Sequence, residues 1–197
     1  MKIFIVLKVV FGLFIVNCVF CKLFTKEQLE YLPIGTKYRT EASPPAQPCT
    51  SKDAPHMGGF SQQSDPMSFS NNTFNFMLGG LAVKSIVDVG CGKGFTSKYF
   101  HEQGAKVLCI EGSHHAISQS VLPSSKIVEH DFTLGPWWPE DTYDAAWSVE
   151  FVEHVGRQHM ENYLPIFHKS ALIFIEGSGF GGDHHVEVKT IVYIYYT

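Results

Sequence analysis

The chain has 197 residues, of which 45% are hydrophobic and 14% aromatic, and its formal net charge is −4. This length holds one domain with a sizeable core and some appendages. The composition is that of a globular protein and excludes an intrinsically disordered chain. Charges of both signs are mixed along the sequence, so it contains no basic footprint for long nucleic acid, and no such partner is expected.

The beginning of the chain is a hydrophobic segment. Residues 3–21 are almost wholly apolar and are interrupted by Lys8 and Asn17. Such a segment is typical of a secretory signal peptide or of a single membrane anchor, and no convincing cleavage site decides between the two. We therefore assign residues 1–21 to a signal peptide or anchor and expect a protein of the secretory pathway or one attached to a membrane, in either orientation.

Two further regions follow the hydrophobic segment. Residues 22–66 include a stretch at 40–59 that is rich in Pro, Ser, Ala and Gly and lacks apolar periodicity, which predicts a linker or a loosely packed N-terminal arm. Residues 67–81 carry apolar side chains at helical spacing before two glycines and predict a helix. The folded domain is accordingly assigned to residues 67–197.

The most informative stretch reads SIVDVGCGKG. An apolar strand at residues 85–89 leads into a glycine-rich turn and then into a helix that should stop near Gly104. A second buried strand at 107–110 ends on an acidic residue, Glu111. Glycines let the backbone of such a turn approach a ligand closely, and the start of the following helix offers free N–H groups. This unit therefore predicts a nucleotide site.

The spacing of these residues distinguishes between nucleotides. Glu111 lies about 20 positions after Gly90, at a strand end where a carboxylate suits the two hydroxyls of a ribose. A dinucleotide fingerprint reads G-x-G-x-x-G, but Phe95 stands where its third glycine would fall. A P-loop is excluded because Lys93 is followed by Gly94 and not by Ser or Thr.

The run DVGCGKG, with an acidic residue closing the second strand, resembles the class I S-adenosylmethionine-dependent methyltransferases over about residues 68–182. The resemblance implies an α/β fold with a doubly wound, Rossmann-like, mostly parallel sheet and helices on both faces. It also implies S-adenosylmethionine as cofactor, with Glu111 on its ribose. The residues implied to bind the cofactor's methionine part are Asp88, Gly90 and Gly92, and the predicted cofactor-binding set also contains Cys91, Gly94 and Gly112.

Apolar runs and capping residues predict the later elements, namely strands at residues 127–129, 143–149 and 171–176 and helices at 114–121 and 157–168. In the family that the chain resembles, a residue pair after the third strand reads the adenine. The resemblance therefore implies that Asp131 and Phe132 bind the adenine of the cofactor. The loop at 134–141 contains two tryptophans, which we interpret as core residues.

A second group of polar residues follows the fourth and fifth predicted strands. Glu150, Glu153 and His154 are spaced so that a helical start would place all three on one side, and His184 and His185 follow the fifth strand. The carboxyl ends of parallel strands meet at one edge of a sheet. Carboxylates and imidazoles together hold divalent cations such as Mg, Mn or Zn.

This pattern, E-x-x-E-H with a later His, resembles small-RNA 2′-O-methyltransferases and ubiquinone-pathway O-methyltransferases. The predicted metal ligands are Glu150, Glu153, His154 and His185. Without a metal, His154 would instead border the substrate pocket as a polar wall or a weak base.

The sequence thus predicts a methyltransferase that acts on a hydroxyl of a small molecule. Methyl transfer to a hydroxyl needs alignment of the reactants and removal of a proton. His154 is the first candidate for that proton, and Glu150 is the second predicted catalytic residue. Two alternatives remain: a catalytically inactive methyltransferase-like module that binds the cofactor or a partner, and an NAD-linked Rossmann enzyme, which the glycine spacing disfavours.

Two structural expectations complete the prediction. Cys91 and Cys109 fall in the glycine turn and the second strand and are interpreted as small buried side chains outside any disulfide framework. Methyltransferases of the resembled class continue after the fifth strand with a helix and an antiparallel pair of strands. Here a single further strand, at residues 186–196, is predicted, so we expect an incomplete, C-terminally truncated sheet.

Overall fold

A computed structural model of the chain describes residues 42–48, 53–58, 69–177 and 184–186. The predicted signal peptide or anchor at residues 3–21 lies outside these ranges, as does the strand predicted at 186–196 apart from Val186. Among the residues that the structure describes, no helix is both long enough and apolar enough to cross a membrane.

Five strands form one sheet: β1 (Ser85–Val89), β2 (Lys106–Glu111), β3 (Ile127–Glu129), β4 (Tyr143–Val149) and β5 (Ser170–Glu176). Their order is β3-β2-β1-β4-β5, and each neighbouring pair is parallel. The order reverses between β1 and β4, which makes the sheet doubly wound and places its binding crevice at the carboxyl ends of these two strands. The predicted fold class is confirmed.

The helices are α1 (Asn71–Asn75), which continues into a π-helical turn (Phe76–Gly80), α2 (Phe95–Glu102), α3 (His114–Ser118) and α4 (Met160–His168), with 3₁₀ turns at Ser124–Lys126 and Arg157–His159. The helix predicted at 114–121 is shorter than expected. It ends at Ser118 because the chain turns back toward the glycine loop, where the N–H of Val121 and the hydroxyl of Ser120 both donate to the carbonyl of Lys93.

The sheet is buried on both faces because side chains alternate along each strand. Consecutive residues belong to opposite core layers, as in Ile86 and Val87 of β1, Ala145 and Ala146 of β4, and Leu172 and Ile173 of β5. Phe74 of α1 and Phe100 of α2 lie in one layer, and Ile166 and Phe167 of α4 lie in the other. The helices therefore cover both faces, as predicted.

The described part of the N-terminal arm packs against the carboxyl end of the sheet. Gln47 donates its N–H to Nδ1 of His130 over 2.9 Å and accepts the N–H of Asp131 over 3.0 Å. Ser43 accepts the N–H of Trp138, a loop tryptophan that is buried as expected. These contacts hold the described residues of the predicted arm against the domain.

Candidate functional site

The glycine loop between β1 and α2 has the backbone that the sequence predicts. Gly90, Gly92 and Gly94 have φ angles of +75°, +55° and +82°, in the left-handed region that favours glycine. A Cβ atom on Gly90 would lie 2.7 Å from the ring of Phe151, so the loop also has no room for a side chain there. The loop therefore presents bare backbone at the carboxyl end of β1, directly before α2.

The two cysteines near this loop correct a prediction. Cys91 of the loop and Cys109 of β2 are joined as a disulfide, with their Cα atoms 5.7 Å apart. Cys109 is fully buried, but Cys91 is half-exposed. Eighteen positions separate them, and the pairing arises because parallel alignment sets Cys109 opposite Asp88, just before the turn. The bond ties the glycine loop to β2.

Glu111, at the end of β2, holds the loop from the other side. One of its carboxylate oxygens accepts the N–H of Gly92 over 2.7 Å, and the other accepts the N–H of Ser113 over 2.8 Å. Burial raises the pKa of this carboxyl above its usual value, and the hydrogen bonds from Ser113 and Gly92 oppose that rise. The carboxylate that was predicted to meet the ribose is therefore fixed at the mouth of the crevice.

Asp88 lies beneath the loop and is 3% exposed. Its carboxylate accepts a hydrogen bond from the hydroxyl of Ser97 over 2.7 Å. Burial raises the pKa of Asp88 to about 7, the Ser97 hydrogen bond opposes the rise, and the nearby charge of Glu111 adds to it. Two carboxyl groups with raised pKa values thus flank the loop, and a cationic ligand would favour their ionised forms.

The residues predicted to read the adenine follow β3. Oδ1 of Asp131 accepts hydrogen bonds from the N–H and the hydroxyl of Thr133, each over 2.8 Å. Phe132 turns its ring into the core, 5.8 Å from the ring of Phe151 between centroids, and its carbonyl accepts from Asn162. In the described ranges of the chain, the polar groups of this pair that make no hydrogen bond are Oδ2 of Asp131 and the N–H of Phe132.

The acidic-histidine group is assembled in part. Glu153, His154 and His185 each place one ligand atom within 4.8 Å of the others. Glu150 is not a member of this group. The helical start expected after β4 is instead a turn that begins with Glu150 at φ +56°, which removes the i, i+3 alignment with Glu153. The peptide of Glu150 is directed toward β5, where its N–H donates to the carbonyl of Glu176 over 3.0 Å.

His154 is held at the edge of this group. Its Nδ1 lies 3.2 Å from the carbonyl of His184, and its ring meets that of His185 edge to face with centroids 4.9 Å apart. Burial lowers the pKa of His154 below its usual value, and the charge of Glu153 opposes that effect. Burial thus favours the neutral imidazole, the form that can accept a proton.

Residues 87–168 match the family model described as a methyltransferase domain. This match supports the class I S-adenosylmethionine-dependent methyltransferase domain that the sequence predicts. The match extends from β1 to the end of α4 and so contains the glycine loop, Glu111, Asp131 and His154. A comparison with curated proteins found no match.

Several solved methyltransferase structures are similar to this domain. The methyltransferase domain of bacterial CtHen1 is 17% identical over 53% of this chain and 62% of its own, with a TM-score of 0.41. A methyltransferase from Mesorhizobium loti is 25% identical over 48% of this chain and 45% of its own, with a TM-score of 0.36. The plantazolicin methyltransferase BpumL, solved with a pentazolic desmethylPZN analog and SAH, is 19% identical over 54% of this chain and 44% of its own, with a TM-score of 0.41. This chain therefore covers less than two thirds of each of them.

Sequence reasoning missed one part of the site. Asp53, His56 and Met57 of the N-terminal arm contact Ser113, Asp131 and Gly112, respectively, and the last two belong to the predicted cofactor-binding set. The arm has no apolar periodicity, so no pattern marks these positions. The available signal was the presence of Asp and His between prolines and glycines, which is common in solvated loops.

The raised pKa of Asp88 predicts a pH-dependent affinity for S-adenosylmethionine. The cofactor carries a sulfonium and an ammonium group, so if Asp88 contacts it, as the resemblance implies, binding favours the ionised carboxylate and releases a proton. Affinity should therefore rise several-fold between about pH 6 and pH 7.5, as Asp88 ionises around its pKa of about 7. Calorimetry across this range checks the slope. Asp88→Asn should bind more weakly and with a flat profile, and an equal slope in both proteins would contradict the assignment.

Proposed function

We propose that the domain transfers the methyl group of S-adenosylmethionine to a hydroxyl group of a small molecule. The observation that carries the proposal is the position of His154, a half-buried imidazole that follows β4 at the carboxyl edge of the sheet. Because burial lowers the pKa of His154, the neutral form of the ring is favoured, and this form can take the proton that a hydroxyl loses on methylation.

The cofactor would be held by three parts of the carboxyl edge. The glycine loop and Asp88 would bind the methionine part, where the carboxylate faces positive charge. Glu111, with Gly112 beside it, would meet the ribose, and Asp131 with the main chain of Phe132 would meet the adenine. Support for this arrangement comes from the family match, which contains all of these residues, and from the left-handed glycines, which leave three positions of the loop without a side chain.

Methyl transfer is an in-line displacement, so the remaining task is alignment of the acceptor oxygen with the sulfonium methyl. His154 would accept the proton from that oxygen as the new carbon–oxygen bond forms. Glu150 stands at the end of β4, four positions before His154, and its half-buried carboxylate is proposed to border the acceptor. The acceptor itself is proposed to be a small molecule that enters the crevice between β1 and β4.

A second candidate function adds a divalent cation to this chemistry. The donor set fits one, because a carboxylate and two imidazoles from Glu153, His154 and His185 lie within 4.8 Å of one another. Mg, Mn or Zn bound there would act as a Lewis acid that orients and acidifies the hydroxyl. In that case His154 holds the ion and Glu150 becomes the candidate for the proton.

A transfer assay with methyl-labelled S-adenosylmethionine tests the proposed chemistry. The full chain is offered catechol and simple alcohols as hydroxyl acceptors and dithiothreitol as a thiol acceptor. We expect label in a hydroxyl product and a loss of about 100-fold or more in kcat for His154→Ala. His101→Ala, a change of an exposed histidine on α2, is the matched control and should leave the rate unchanged.

The pH profile and a chelator distinguish the mechanism in which His154 is the base from the mechanism that uses a divalent cation. If His154 is the base, the rate falls as the pH drops through the pKa of this residue, which burial places below the ordinary histidine value, and EDTA has no effect. If a cation is required, EDTA abolishes transfer, one of the three metals restores it, and Glu153→Gln prevents the restoration. Binding of SAH without transfer to any acceptor would instead favour the inactive binding module.

A further inference from the structure

The segment at residues 53–58 crosses the carboxyl ends of β2 and β3, although it lies outside the matched methyltransferase region. Its first anchor is Asp53. One carboxylate oxygen of Asp53 accepts a hydrogen bond from the hydroxyl of Ser113, and the other accepts one from the N–H of His115 over 3.4 Å. Ser113 in turn accepts the N–H of Ala116 at the start of α3. The segment is therefore fixed to the turn that follows Glu111.

The second anchor is His56, whose Nε2 lies 3.2 Å from Oδ1 of Asp131. The two side chains are 16% and 3% exposed, so the contact is shielded from bulk water. Oδ1 of Asp131 thus has three partners, namely the imidazole of His56 and the N–H and hydroxyl of Thr133. Within the described part of the chain, no hydrogen bond is made to Oδ2 of the same carboxylate. This oxygen is thus available to an external donor.

Met57, the next residue, packs on the residue after the ribose acid. A Cβ atom on Gly112 would lie 2.8 Å from Cε of Met57 and 3.3 Å from the carbonyl oxygen of His130. The end of the Met57 side chain therefore packs directly against the backbone of Gly112. The thioether consequently lies beside Gly112, which follows the acid proposed to meet the ribose and is close to the carbonyl of His130, the residue before Asp131. Thioethers make favourable contacts with flat aromatic rings.

A third anchor fixes the far end of the segment. The carbonyl of Pro55 lies 2.7 Å from Nδ1 of His184, and a Cβ atom on Gly58 would fall 2.3 Å from that imidazole ring. Three separate contacts along six residues therefore hold the segment in one place over the crevice.

We propose that residues 53–58 form a wall of the adenosine pocket, with His56 as a positioning residue and Met57 as a contact for the adenine ring. His56 holds Oδ1 of Asp131 and shields it from water, which directs Oδ2 to the amino group of the adenine. The inference rests on the proposed function in assuming that Asp131 reads the adenine. It adds that the N-terminal arm sets the preference for adenine over other purines.

Calorimetry with two ligands tests this role on the full chain. SAH carries the adenine amino group, whereas S-inosylhomocysteine has a carbonyl oxygen at the same position and would face Asp131 with a second acceptor. Wild type should prefer SAH. His56→Ala should weaken SAH binding about tenfold and reduce the preference, because the carboxylate loses one partner and gains water. His56→Gln should restore both values, since its amide supplies an N–H, and His101→Ala should match wild type.

Met57→Ala provides an independent arm of the test. Loss of the contact with the ring should weaken the binding of SAH and of S-inosylhomocysteine by the same factor. The proposed wall is overturned if His56→Ala binds SAH as tightly as wild type or more tightly. It is also overturned if affinity falls while the preference for SAH stays the same, since His56 would then act on folding alone. Failure of the wild type to bind either ligand would instead overturn the proposed function itself.

Discussion

Gly92→Val is expected to abolish measurable binding of S-adenosylmethionine. Gly92 has φ +55°, a conformation that a β-branched residue adopts at high cost, and its N–H donates to Glu111 over 2.7 Å. A valine would pull the loop toward an extended backbone, break that hydrogen bond and place two methyl groups where the cofactor approaches. We expect affinity to fall by at least about 100-fold, measured by calorimetry with SAH.

Gly104→Val separates the effect of backbone strain from the effect on the site. Gly104 has a similar left-handed φ of +85°, but it is exposed and a Cβ atom there would meet nothing within 4 Å. This variant should lose stability in a thermal melt and still bind SAH with wild-type affinity. If the two valine variants bind SAH equally well, the glycine loop is not the cofactor site.

Glu111→Ala should produce the second largest loss of affinity. The carboxylate accepts the N–H groups of Gly92 and Ser113, and it is proposed to accept from the ribose hydroxyls. Removing it leaves two backbone donors and the ligand's hydroxyl pair without their acceptor, at a cost of about 1–3 kcal/mol for the ligand contact alone. SAH binding should therefore weaken by about 10- to 100-fold in the same calorimetric titration.

A matched pair of variants shows which property of Glu111 matters. Glu111→Gln keeps one acceptor and the size of the side chain, so its loss should be smaller than that of the alanine variant. Glu102→Ala changes an exposed glutamate of α2 that pairs with Lys98 on the same helix, and it should leave affinity unchanged. Equal affinities of Glu111→Ala and wild type would remove Glu111 from the ribose site.

The strands and the glycine loop were predictable because their signals are contiguous in the sequence. The run SIVDV is apolar on both faces of a central strand, and β1 begins and ends at the predicted residues, Ser85 and Val89. The glycines required left-handed backbone angles, and Gly90, Gly92 and Gly94 have them. Local composition decided these features, so no long-range contact had to be known.

The features that sequence reasoning missed depend on contacts between distant residues. The expected helical start after β4 is a turn because Glu150 adopts a left-handed backbone, and Glu150 therefore does not join the group that Glu153, His154 and His185 form. Pairing of Cys91 with Cys109 follows from strand register, and no spacing rule encodes it. The N-terminal arm lacks periodicity altogether, and its polar contacts with Asp131 and Ser113 become visible only when the chain is folded.

The central claim is that the carboxyl edge of this sheet binds S-adenosylmethionine and not a dinucleotide. One calorimetric titration of the full chain with SAH, repeated with NAD, tests it directly. We predict saturable binding of one SAH per chain and no measurable heat with NAD, since the loop has Phe95 where a dinucleotide site needs its third glycine. Saturable binding of NAD, or the absence of SAH binding by protein that melts cooperatively, would contradict the claim.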